Sequence, residues 1–63
     1  MNTKRLADLE PGDVVESYFG ARKRVVDVFP SNYSALIQWE EDDGSLLNTR
    51  HHYSEVFKVI EPA

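Results

Sequence analysis

His51, His52 and Glu55 are the residues of this 63-residue chain whose types first suggest metal chemistry. Neighbouring residues of a strand point to opposite faces, so two adjacent imidazoles cannot share one ion. No third ligand stands at a motif spacing, so no metal ligand is assigned: one histidine is expected at the end of the core and the other on the surface. Serine, histidine and acids are all present, but no glycine elbow or paired carboxylates arrange them for nucleophilic or acid–base work. A chain this short also lacks the walls that exclude water from a reacting centre. The expectation is no catalytic residue, no enzyme activity and no cofactor. Binding chemistry remains. Arg22-Lys23-Arg24 is a basic run, Glu40-Glu41-Asp42-Asp43 an acidic one, and Tyr18, Phe19 and Tyr33 fall in or beside loops. Rings so placed stack on bases, hold cations or anchor protein interfaces. The expected partner-binding set is Tyr18, Phe19, Arg22, Lys23, Arg24 and Tyr33. The alternative is a nucleic-acid surface in which Arg22, Lys23, Arg24 and Arg50 contact phosphates.

The elements that must position these residues are short strands. Ser34 to Tyr53 holds two β-prone runs about an acidic turn closing on Asp43-Gly44, a strong hairpin signal. Tyr33 to Glu40 places Ala35, Ile37 and Trp39 on one face, assigned to the core, with Leu36 and Gln38 outside. Ser45 to His52 is ambiguous in phase, because Leu46 and Leu47 are both apolar. Glu10-Pro11-Gly12-Asp13 is a turn opening a strand over Asp13 to Ser17. Arg22 to Phe29 follows, with Val26 and Val28 on one face and Val25, Asp27 and Phe29 on the other, unless a bulge turns Val25 inward as well. Trp39, Phe57 and one of Tyr53 or Phe29 are expected in the core. Tyr53-Ser54-Glu55-Val56 predicts one 3₁₀ turn before a last strand, Phe57 to Ile60. Residues 1–10 are too few for a stable helix and are expected as a lead-in whose Leu6 or Leu9 caps the core.

Composition narrows the classes. Sixty-three residues make one domain, 1–63. Cysteine is absent, which excludes disulfides and thiolate metal sites and fits a reducing cytoplasm, the expected location. Met-Asn-Thr-Lys-Arg has no apolar run behind it and is not a signal peptide; no stretch is long and apolar enough to span a membrane. The chain is expected to be a complete small soluble protein. Its net charge of −4 lowers the expectation of a nonspecific phosphate-backbone binder.

Four stretches together carry a likeness: Leu9-Glu10-Pro11-Gly12-Asp13-Val14-Val15; Arg24-Val25-Val26-Asp27-Val28; Ile37-Gln38-Trp39 leading to Asp43-Gly44; and Tyr53-Ser54-Glu55-Val56-Phe57-Lys58-Val59-Ile60. In architecture the chain resembles the SH3-like small β-barrels of the Tudor/KOW type, although the second stretch lacks the glycine of a KOW motif. The resemblance implies an all-β, five-stranded SH3-like barrel that binds proteins, peptides or nucleic acids. The function expected is a non-enzymatic protein-interaction module, an adaptor or inhibitor, of a size and acidity familiar from bacterial and phage accessory proteins. Its partner is expected to be another protein, with nucleic acid as the alternative, no membrane, and self-association through an exposed edge strand compatible with either.

Overall fold

Strict alternation makes Ser34–Glu41 the middle of a three-stranded meander: Ala35, Ile37 and Trp39 are buried, and the residues between them are half-buried. The computed structural model describes residues 2–17 and 20–63, which form β1 (Asn2–Arg5), a 3₁₀ helix (Leu6–Asp8), β2 (Val14–Glu16), β3 (Arg22–Pro30), β4 (Ser34–Glu41), β5 (Leu46–His52) and β6 (Val56–Glu61). The strands make one antiparallel sheet in the order β1-β6-β2-β3-β4-β5. No helix among the described residues is long and apolar enough to cross a membrane.

Two expectations are corrected. The sheet has six strands and does not close, where a five-stranded barrel was expected. The additional strand is β1, from the expected lead-in. Its sequence, Asn-Thr-Lys-Arg, carries no apolar pattern, and it is a strand because β6 offers it a ladder, Asn2 opposite Val59 through Arg5 opposite Val56. The 3₁₀ helix lies at Leu6–Asp8, not before the last strand. There Leu9 N–H reaches Leu6 C=O at 3.2 Å, and the two leucines, three apart, are both buried. The stretch before β6 is a turn closed by Glu55 N–H to His52 C=O at 3.0 Å.

Two irregularities bend the sheet around its core. Register shifts between Val25 and Asp27 in the β3–β4 ladder, so Val25 is buried, Val26 lies exposed on the bulge, and Val28 packs on the core. A bulge inserts one residue and reverses the face of those beyond it, which leaves Phe29 half exposed outside. The second shift, between Val14 and Val15 where β2 meets β6, accompanies the burial of both valines. Leu6, Leu9, Val15, Val25, Ala35, Ile37, Trp39 and Val59 form the core, with Val28, Tyr53 and Phe57 packed against it. Tyr53 takes the place left open between itself and Phe29, and its hydroxyl donates to Ser31 C=O at 2.7 Å.

Asp13 ties the ends of this arrangement together. Its side chain is fully buried, and its two oxygens accept from Lys4 Nζ at 3.1 and 3.0 Å, from Glu10 N–H at 2.9 Å and from Ala63 N–H at 2.8 Å. Burial pushes its carboxyl up. The Glu10 and Ala63 amides and the Lys4 ammonium outweigh that and hold it below the ordinary carboxylate value. Its backbone joins the same knot, since Val25 N–H donates to Asp13 C=O and Gly12 N–H to Val25 C=O, each at 2.8 Å. Gly12 adopts φ +99°, and a Cβ there would stand 3.3 Å from that of Ala63.

Candidate functional site

The turn of the β4–β5 hairpin fixes which residues of β5 face inward. Gly44, at φ +85°, donates to Glu41 C=O at 2.9 Å, and Glu41 N–H donates to Ser45 C=O at 2.9 Å, a type I turn with a left-handed glycine bulge. Asp43 Oδ1 accepts from Ser45 Oγ at 2.6 Å and Ser45 N–H at 2.9 Å, and those two bonds, side chain first, lower its carboxyl below the ordinary value. The resulting register sets Leu47 opposite Trp39, Thr49 opposite Ile37 and His51 opposite Ala35. Leu47, not Leu46, therefore lies on the core side, though near enough to the open edge to stay 39 % exposed.

On that inner face the side chains form a relay. Trp39 Nε1–H donates to Thr49 Oγ1 at 2.6 Å; Thr49 Oγ1 lies 2.6 Å from His51 Nε2; His51 Nδ1 lies 2.6 Å from Glu55 Oε2. An indole only donates and a carboxylate only accepts, so a neutral ring protonated at Nδ1 satisfies every member: tryptophan to threonine, threonine to histidine, histidine to glutamate. Phe57 closes the cluster, its ring centroid 5.9 Å from Trp39 and 5.1 Å from His51, the latter pair edge-on. His52 lies on the other face of the strand, with Nδ1 2.8 Å from Ser54 Oγ. The two histidines thus do different work.

The three rings floor a cleft of about 410 Å³ walled by Val15, Ser17, Lys23, Val56 and Lys58. Lys58 and Glu16 pair at 3.2 Å and neutralise each other, while Glu55 accepts from the neutral His51 ring. Lys23 takes part in no ion pair among the described residues. It lies opposite Val15 on β2 and is half-buried, so its stem covers the cleft wall.

The basic run does not make a positive surface. Arg22 pairs with Glu61, and Arg24 with Glu40 at 3.2 Å. The groove that holds Arg22, Lys23 and Arg24, about 400 Å³, is also lined by Glu40, Glu41, Asp42 and Glu61, so carboxylates outnumber cations in it. Of the expected binding residues that the structure describes, these three alone are brought together. Tyr33, 80 % exposed, stands in the turn between β3 and β4, at the opposite end of β3 from the basic run. Arg50 lies outside on β5, opposite Leu36, with its guanidinium on Ser34 Oγ at 2.9 Å. Glu40, the partner of Arg24, is four residues along β4 from Leu36, about 13 Å, so Arg50 does not extend the basic run. Tyr18 and Phe19 lie outside the described residues.

Sequence reasoning missed the cleft floor as a unit. The available signal was Thr49 and His51, two apart and so on one face of a strand, with an acid four residues after the histidine. Compared with known proteins, the chain matches no family model, no curated protein and no solved structure.

Proposed function

We propose that this chain is a non-enzymatic protein-interaction module, an SH3-like fold with an open sheet serving as adaptor or inhibitor, which holds an extended segment of another protein in the cleft over Trp39, His51 and Phe57. The observation that carries this reading is an apolar-floored cleft in which Lys23 is, among the described residues, the one lysine outside any ion pair. That chemistry suits a large apolar side chain next to a carboxylate: the ring or branched chain on the aromatic floor, the acid on the Lys23 ammonium. The SH3-like reading is supported by the two bulges in the open sheet and by a core drawn from both of its ends, Leu6 of the 3₁₀ helix and Val59 on one side and Ile37 on the other. The nucleic-acid reading is weakened by the carboxylates around Arg22 and Arg24, because phosphate binding depends on releasing counterions from an accessible positive surface.

The test is selection from a displayed random peptide library, followed by titration read from the fluorescence of Trp39. Selected peptides should pair an apolar residue with an acid. Lys23→Glu should weaken them about tenfold, roughly 1.4 kcal/mol, and Arg24→Ala should leave them nearly unchanged. Tight, salt-sensitive binding of single-stranded nucleic acid that is lost on reversing Arg22, Arg24 and Arg50, with no peptide selected, would overturn the proposal.

A further inference from the structure

The sheet ends on one side at β5, and the hairpin turn dictates which of its backbone groups are left over. Counting by twos from the bonded pair Glu41 and Ser45, the peptide groups of Leu47, Thr49 and His51 face β4, and those of Leu46, Asn48, Arg50 and His52 face away. His52 C=O already accepts from Glu55 N–H at 3.0 Å. Leu46, Asn48 and Arg50 therefore each present a donor and an acceptor, and no strand among the described residues pairs with them. The opposite edge, β1, is four residues long and carries Lys4 and Arg5, a short charged edge of the kind that resists pairing. β5 is seven residues long, contains neither proline nor a bulge, and exposes Leu46 (59 %) and Leu47.

We infer that β5 pairs antiparallel with β5 of a second copy of this chain about a two-fold axis at Asn48. In this register Leu46 lies opposite Arg50 of the second copy and Asn48 opposite its own mate, so all three outward residues exchange both backbone bonds. The two Asn48 amides meet side by side, and Leu47 packs against Thr49 of the second copy. The two Arg50 side chains stand four residues apart along the strands, about 13 Å. Sliding by one pairing step brings them to diagonal neighbours, and by two sets them face to face, where like charges repel. Charge favours the same arrangement. The acidic turn at Asp42 and Asp43 precedes Leu46, so an antiparallel mate brings its Arg50 beside that turn.

Sedimentation equilibrium over a concentration series from low micromolar to millimolar tests this on the full chain, with expected masses rising from one chain to two. Asn48→Pro removes an outward N–H and no bond to β4, so it should leave the circular dichroism and urea midpoint near the parent's and hold the chain monomeric. Leu46 sets the register. Leu46→Glu places an acid opposite Arg50 at both ends and should tighten the dimer about two- to tenfold, whereas Leu46→Lys should loosen it by a similar factor. A monomer at every concentration, a dimer that a folded Asn48→Pro variant retains, or equal loosening by both Leu46 variants would each overturn the inference.

Discussion

Replacing Asp13 with asparagine removes a charge from the knot at Lys4, Glu10 and Ala63 without changing its shape. Each carboxylate oxygen now accepts from one backbone amide and from Lys4 Nζ. An asparagine amide can offer an oxygen to only one of those backbone groups; whichever way it turns, its NH₂ meets the other N–H, donor against donor. Hydrogen bonds to charged groups are worth about 1.5–3 kcal/mol each. One such bond is lost outright, and the Lys4 pair is discounted because Lys4 is 26 % exposed and can turn to water. The cost is therefore about 2–3 kcal/mol. A chain of this length has about 3–9 kcal/mol in total, so the variant should fold with a much lower urea midpoint. Trp39, the sole tryptophan, reports the transition. The pH dependence is specific. The folded carboxyl is held below the ordinary 3.8, so its contribution is complete above the unfolded value of about 3.9 and disappears as pH falls through the lower, folded one. The gap between parent and variant should be constant from neutral pH to about 5 and close below about 4, because a protonated aspartate resembles asparagine. A gap under about 0.5 kcal/mol at neutral pH, or one that persists undiminished into acid, would refute this account of Asp13.

Two further perturbations address the site and its hairpin. Thr49→Val leaves the buried indole N–H of Trp39 and Nε2 of His51 facing methyl groups, and should cost about 1–3 kcal/mol in urea unfolding, with a shifted Trp39 emission maximum in the folded state. Gly44→Ala meets no atom within 4 Å, so its cost is that of holding an L-residue left-handed, about 1–2 kcal/mol, read as a fall in Tm of several degrees.

The legible parts of the molecule were those in which pattern and burial coincide. Ala35, Ile37 and Trp39 could be placed because β4 is flanked on both sides and its alternation has a single solution. β3 was half legible: its bulge at Val26 changes phase in mid-strand, and a run of valines does not mark where. β5 was illegible in phase because it is an edge, where Leu46 and Leu47 are both exposed and the inward positions hold Thr49 and His51, polar residues satisfied by the relay. β1 gave no signal, since its partner alone makes it a strand. The basic run is contiguous in sequence, with Arg22 and Arg24 held in ion pairs and Lys23 at the cleft. Its neutralisation by Glu40 and Glu61 depends on pairing across 16 and 39 residues, which no local pattern encodes.

The position of β6 has a consequence for how the chain reaches this state. The last strand in sequence lies between the first two, pairing with β1 and β2, whereas β3, β4 and β5 connect by short turns to immediate neighbours. Closing the short loops takes little entropy; bringing residues 56–61 to residues 2–16 takes far more and must follow. Folding should therefore begin in the meander and finish when β6 arrives. Substitutions at Ile37 or Val25 should slow refolding, and those at Lys4 or Asp13 should chiefly hasten unfolding. A ribosome-bound chain whose β6 is still in the exit tunnel would have a formed hairpin but no ladder for β1, and would become resistant to protease only once its final strand emerged.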